Sequence, residues 1–363
     1  MPIELLLLGG GHAHVEVLRR FAARPEPGLS LTLVARERWS PYTGMLPGLI
    51  RGECRMDEAH IDLVPLAAAA RARFVAAAAN GIDLDGRRVM LASREAIGFD
   101  LLSLDVGGLP AMPAGAGLPV RPIGGFLARL TALEAGLPDD ACLAVVGGGA
   151  GGAELALALA RRLAGRARIM LVSGTATVPA EAPAGARRMI RRALVAAGIT
   201  VVTGVRADGF ADGALELSDG RRLPVRAALW ANGVVAPGWL AASGLACDAA
   251  GCVRVDAMLR SVSHAAVFAA GDCAALADAR PKAGVWAVRA GPPLAAALRQ
   301  AAMGRQPAAW RPQRRALAIL GLGNGRAVAW RGRLWAGGRL VARWKDWIDR
   351  RWIARYRDSG GGL

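Results

Sequence analysis

The chain is almost without lysine: among its 46 basic residues only Lys282 and Lys345 are lysines. Its formal charge of +17 therefore rests on arginines scattered from Arg19 to Arg357. Scattered charge gives only non-specific affinity for nucleic acid, and no nucleic-acid module is recognisable, so no nucleic-acid partner is expected. Long apolar runs are also missing, and none approaches the ~18 residues a membrane span needs. The first apolar run, Leu5–Leu8, follows no basic segment and leads straight into glycines. It reads as a core strand rather than a secretory leader, and a cytoplasmic location is the expectation. Cysteine is sparse, and Cys54, Cys142, Cys247, Cys252 and Cys273 make no metal-binding set. Cys247 and Cys252 have a C-x4-C spacing, but Asp-Ala-Ala-Gly between them reads as a turn joining two strands. Ordinary thiols of a reducing compartment fit better than a redox pair.

What the chain does have is glycine at the ends of apolar runs. Leu5–Arg20, LLLLGGGHAHVEVLRR, reads as a buried strand, a tight turn at Gly9, Gly10 and Gly11, and a helix carrying Val15, Leu18, Phe21 and Ala22 on one face. A helix beginning there offers unpaired N–H groups and a positive dipole end to a pyrophosphate. Gly9 suits the tight turn and Gly11 the close approach of phosphate to backbone. The third glycine of G-x-G-x-x-G is replaced by His14. A second copy, Leu143–Ala160, keeps all three glycines, Gly147, Gly149 and Gly152, and is followed by Glu154. A third piece, Val267–Ala274, is a short apolar strand ending in Gly271-Asp272.

A chain of 363 residues is expected to divide into two or three domains. Leu29–Ala35 is the second strand of the first unit. The acid that bonds the adenine-side ribose in such units is displaced to Glu37. Trp39–Gly52 is dense in Pro, Gly and aromatics and reads as a loop beside a ring. The Pro/Gly-rich Leu109–Pro122 reads as an interdomain linker. Ala167–Val172 is the second strand of the second unit and ends in Ser173-Gly174-Thr175, where an NAD-specific site has a carboxylate. Arg187 and Arg188 are the basic residues close enough in sequence to fold back there. The pair Pro292-Pro293 is expected to interrupt a helix over 282–299. Leu340–Arg357 reads as an amphipathic helix with Leu340, Val341, Trp344, Trp347, Ile348 and Trp352 on one arc and Asp346, Asp349, Arg343 and Arg350 opposite. It suits either a membrane interface or a lid on the first domain.

The two glycine loops with the late Gly-Asp resemble the two-dinucleotide-domain flavoproteins. More specifically, GGGHAHVEVLRR, PYTGMLPGLI, DEAHIDL, KAGVWAVRAGPPLA and WKDWIDRR resemble the FAD-dependent module fused ahead of selenide, water dikinase, from about Ile3 to Arg357. The sequence is more remotely similar to type II NADH dehydrogenases and sulfide:quinone reductases. The resemblance implies an α/β fold with two Rossmann-like domains. An FAD domain (1–110 and 234–305) is interrupted by an NAD(P) domain (111–233), and a C-terminal region (306–363) follows.

It further implies FAD and NAD(P)H as cofactors and a small-molecule electron acceptor, with quinone the leading candidate. Peripheral membrane contact through the last helix goes with that acceptor. Gly9, Gly10, Gly11, His12 and Ala13 would surround the FAD pyrophosphate, Glu37 the adenosine, and Asp272 with Gly271 the ribityl–phosphate segment. Pro47 and the loop Gly44, Met45 and Leu46 would flank the flavin ring, Gly107 would pass close by, and Lys282 would lie near its polar edge. Gly147, Gly149, Gly152, Glu154, Asn232 and Gly233 would form the nicotinamide side. The glutamine quinone motif is unmatched at Val285 and Arg289. A flavoenzyme acting on sulfur or selenium species, a flavin-binding protein without turnover and a flavin-free dehydrogenase are the alternatives.

Overall fold

A computed structural model describes residues 2–92, 95–113 and 115–357. The first sheet is parallel and five-stranded. Its order is Val267–Ala269, Leu101–Leu104, Ile3–Leu8, Leu29–Ala35 and Ala72–Ala76. Leu5 to Leu8 are buried, as an unbroken apolar run should be in a sheet covered on both faces. The strand Val267–Ala269 comes late in the chain yet joins this sheet beside Leu101–Leu104, so the polypeptide leaves the first layer and returns to it. The second parallel sheet is ordered Leu118–Pro119, Ala227–Trp230, Ala141–Val146, Ala167–Ser173 and Thr200–Thr203.

Each sheet feeds a glycine turn and then a helix, His12–Ala23 from the first and Ala150–Arg162 from the second. The mixed α/β architecture expected from the sequence is the one observed.

Pro292-Pro293 does not interrupt its helix, which runs unbroken from Gly284 to Ala302. The prolines remove the N–H partners of the Val288 and Arg289 carbonyls, but packing outweighs that loss. Ala287, Ala290, Leu294 and Leu298 are buried, and the helix lies along His12–Ala23. At Gly291 the two helices come so close that a Cβ there would stand 2.6 Å from Glu16 Cβ.

The C-terminal region forms a three-stranded antiparallel sheet, Ala318–Gly321, Ala327–Arg331 and Leu334–Gly338, and then a helix, Arg339–Arg357. The sheet packs on Ala150–Arg162 and Ala184–Ala196, and the helix reaches the strand His60–Asp62 of the first layer. The apolar arc expected for this helix is divided. Trp352, Ile353 and Tyr356 are buried in the first core, whereas Leu340, Trp344 and Trp347 stay exposed. Asp349, expected on the solvent side, is buried. The Tyr42 hydroxyl donates to it at 2.9 Å and the Lys345 ammonium lies 2.8 Å away. Partners offset the cost of burying that carboxylate.

Candidate functional site

A cavity of about 330 Å³ opens over the C-terminal ends of the first sheet, where open α/β sheets bind ligands. Gly9, Gly10, Gly11, His12, Glu37, Gly107, Asp272 and Gly284 are among its lining residues. Gly9 has φ +101°, which glycine adopts without strain, and its N–H donates to the Val34 carbonyl at 2.8 Å.

The residue that organises this turn is Asp105, at the end of Leu101–Leu104. Its Oδ2 accepts the N–H groups of Ala13 at 2.8 Å and His14 at 3.2 Å, so a buried carboxyl caps the helix from behind the cavity. A Cβ on Gly11 or on Gly271 would overlap that carboxyl, and one on Gly9 would overlap the Asp105 carbonyl. Gly11 is thus glycine because Asp105 occupies the space, a reason different from the phosphate approach inferred from the motif. The available signal was an acid directly after the apolar strand LLSL.

His14, in the third-glycine position, is fully buried. Its Nδ1 lies 2.7 Å from the Gly9 carbonyl and its Nε2 2.8 Å from Ser103 Oγ. It therefore ties the turn to the neighbouring strand. His12 is 8% exposed and lines the cavity, and its Nε2 has no hydrogen-bond partner. An orphaned buried imidazole nitrogen on His12, a side-chain-free glycine turn at Gly9–Gly11 and an open space beside Gly107 suit a diphosphate-bearing cofactor such as FAD.

Burial lowers both histidines to about 4; nearby Asp272 and the Pro41 carbonyl oppose this at His12, and the Gly9 carbonyl opposes it at His14. Burial raises Asp105 to about 7, against the two amide donors. Between pH 6.5 and 4 the unfolded histidines hold protons that the folded ones lack, so stability falls on acidification. Asp105 has the opposite sign, since the folded carboxyl holds a proton that the unfolded one has lost. In flavin-free protein, Asp105→Asn is expected to steepen the acid loss by up to ~1.4 kcal/mol per pH unit. Urea denaturation across that range checks it, and parallel pH profiles for the two proteins would refute it.

Other candidates fall elsewhere. Thr43 lines the cavity, whereas Gly44, Met45, Leu46 and Pro47 do not. Their segment turns into the short helix Leu46–Ile50, with Leu46, Pro47 and Ile50 buried and the helix packed against Ala150–Arg162. Lys282 does not line this cavity either. Its ammonium donates to the Ala274 carbonyl at 2.5 Å, beside a smaller cavity of about 140 Å³. Asp272 does face the main cavity, but it is paired with Arg121. Arg121 also lines the cavity and was not picked out from the sequence, where it is one arginine among many.

Glu154 points away from its own glycine loop and accepts the Gly321 N–H at 2.7 Å. Lys345 lies 3.9 Å from it and donates to the Gly44 carbonyl at 2.7 Å. Burial pushes the Glu154 carboxyl up, and the Lys345 ammonium opposes it. For Lys345, burial favours the neutral amine, but Glu154 and Asp349 win and its pKa is raised. This network joins the Tyr42–Gly44 loop, the second-loop helix and the terminal helix.

At the second glycine turn, Gly147 has φ +135°, and a Cβ on Gly152 would overlap the Gly147 carbonyl. The turn thus closes against its own helix. Asn232 and Gly233 lie beside this turn; Asn232 Nδ2 donates to the Ala111 carbonyl, and the Gly233 carbonyl accepts the Ala111 N–H at 3.0 Å. Ser173 is buried and its Oγ lies 2.9 Å from Thr175 Oγ1. Arg187 is turned onto the Ala182 carbonyl at 3.0 Å. Arg206 is the basic side chain beside Gly174.

The chain is 31% identical over 241 residues to an NADH dehydrogenase-like protein of Mycobacterium tuberculosis, covering 61% of this chain. The match spans only 60% of that relative's length. A demethylphylloquinone reductase of Synechocystis is 27% identical over 296 residues, covering 76% of this chain and 73% of the relative. Among solved structures, the sulfide:quinone oxidoreductase of Aquifex aeolicus superposes with a TM-score of 0.78 at 16% identity, covering 98% of this chain and 92% of that one. The water-forming NADH oxidase of Lactobacillus brevis gives 0.72 at 17% identity, covering 90% and 74%. At such identities the likeness is one of fold. The family model for pyridine nucleotide-disulphide oxidoreductases matches residues 3–300, a stretch that holds both parallel sheets and both glycine turns. The chain belongs to the pyridine nucleotide-disulphide oxidoreductase family.

Proposed function

We propose that the chain is an FAD-dependent NAD(P)H oxidoreductase that passes electrons to a small-molecule acceptor, with a quinone as the leading candidate. The observation that carries this reading is the cavity over the first sheet, running from Glu37 past Gly9–His12 to Asp272 and Gly284. A second, separate glycine turn in the other sheet remains for the nicotinamide nucleotide. FAD, when bound, would supply hydride acceptance from the nicotinamide and onward electron transfer, so the protein's part is positioning and electrostatics.

The glycine turn Gly9–Gly11 and the His12 Nε2 would hold the diphosphate. Asp272, Arg121 and the start of Gly284–Ala302 line the same cavity and would hold the ribityl chain and the polar part of the ring. Lys345 and Glu154 form a buried pair beside the Gly44 carbonyl that fixes the loop after Thr43, the residue of this segment that lines the cavity. A quinone acceptor is supported by the names of the Synechocystis and Aquifex relatives.

The exposed face of the terminal helix supports peripheral contact with the cytoplasmic side of a membrane. Leu340 is 77% and Trp347 56% exposed, near the exposed Leu334, Trp335 and Trp344. The Arg351 guanidinium lies 5.2 Å from the Trp347 ring centroid. Tryptophan offers an apolar body with a polar tip, and arginine is drawn to anionic headgroups. No described helix is long and apolar enough to cross a membrane. The resemblance to the module ahead of selenide, water dikinase makes a selenium or sulfur species the alternative acceptor.

The purified protein is expected to be yellow and to be bleached by NADH and by NADPH, with rates within about tenfold of each other. A buried Ser173 in place of a carboxylate neither binds a 2′-hydroxyl nor repels a 2′-phosphate, and Arg206 stands nearby. Anaerobic stopped-flow reduction measures both. A colourless protein, or bound flavin that neither nucleotide reduces, refutes the function. A thousandfold preference for one nucleotide refutes only the lack of discrimination.

A further inference from the structure

The second glycine turn already carries an anion supplied by the chain. Glu181 Oε1 accepts the N–H of Ala150, the first residue of the helix Ala150–Arg162, at 3.0 Å. A Cβ on Gly149 would face the same oxygen at 3.9 Å. This is where a nucleotide diphosphate would bind if the second turn is the nicotinamide site, because the amides and dipole of the helix converge there. We propose that Glu181 is an affinity-determining residue, an internal competitor that must leave the Ala150 amide before the diphosphate can take its place. The inference rests on the nucleotide reading given above.

The segment carrying Glu181 is held in position. Thr175 N–H donates to Ser173 Oγ at 3.2 Å, and the Thr175 hydroxyl donates to the Thr177 carbonyl at 2.9 Å. The Gly204 N–H donates to the Thr175 carbonyl at 3.1 Å. Val178 is buried and lies over Gly148. Arg187 Nη1 donates to the Ala182 carbonyl at 3.0 Å. With its backbone fixed on both sides, the exposed Glu181 side chain can rotate off the amide while the segment stays where it is. Binding of nucleotide therefore has to break one charge-assisted bond and place two negative groups near a carboxylate. Both effects weaken affinity without touching the fold.

The consequence is an order of affinities. Glu181→Gln keeps a hydrogen-bond acceptor but removes the charge, and Glu181→Ala removes both. Dissociation constants for NADH, NADPH and the redox-inactive ADP-ribose are expected to fall from wild type to Glu181→Gln to Glu181→Ala. The full span is roughly tenfold at low salt and narrows as ionic strength rises. Anaerobic isothermal titration of the protein with its flavin already reduced reads all three ligands without turnover, with melting temperature and flavin content as controls for folding. Measurable binding that is unchanged or weaker in both variants overturns the role of Glu181 and leaves the nucleotide site standing. Absence of binding by every ligand to every protein overturns the nucleotide reading, and this inference with it.

Discussion

Gly11→Ala is expected to lower stability by about 1–3 kcal/mol, the range for overpacking a filled interior, and to strip flavin from the protein. The added methyl would overlap the Asp105 carboxyl, which is buried and bonded to the amides of Ala13 and His14 and so has nowhere to go. The motif alone predicts loss of flavin through phosphate crowding, and the two explanations separate in a double-mutant cycle. Asp105→Ala by itself leaves two buried amides unpaired, at about 1–3 kcal/mol. If Asp105 is what Gly11 accommodates, the double variant should be more stable than the sum of the single losses by more than ~1 kcal/mol, since contacting residues couple. Chemical denaturation and flavin content after gel filtration measure it. Additive losses would mean that Gly11 serves the phosphate alone.

Trp352→Ala is expected to cost about 3–5 kcal/mol and to loosen the cofactor. Its ring stacks on Tyr42 with centroids 4.3 Å apart and meets His12 edge-on at 5.1 Å, so its removal opens the wall behind a cavity-lining residue. Trp344→Ala and Trp347→Ala remove exposed side chains and should stay within about 0.5 kcal/mol of wild type. They should, however, reduce sedimentation with vesicles rich in anionic lipid. One helix would then act as a lid at its C-terminal end and a membrane contact at its N-terminal end. Equal destabilisation by all three substitutions would remove the division. Unchanged vesicle binding in the exposed-face variants would remove the membrane role alone.

The sequence by itself determined both strand–glycine–helix units, because apolar periodicity and glycine placement are local properties that later packing had no reason to override. The α/β class was likewise legible, whereas the pairing of Val267–Ala269 with Leu101–Leu104 is not a local property and was expected only through the resemblance to two-dinucleotide-domain flavoproteins. Four features were decided only in three dimensions. Asp105 reaches the first helix across a sequence separation of 92 residues, and no spacing rule links an acid to a glycine that far away. Pro292-Pro293 reads as a break by local rules, but burial along a neighbouring helix holds that segment helical. The residues Gly44 to Pro47 read as a ring-facing loop because glycine and proline suit close approach. Folding instead turned them toward the second-loop helix and left Thr43 at the cavity. The terminal helix offered a single apolar arc, and only its docking against Tyr42 and His12 determined that Trp352 would be inside and Trp347 outside. Periodicity tells which residues share a face, whereas the partner that covers it belongs to the tertiary structure.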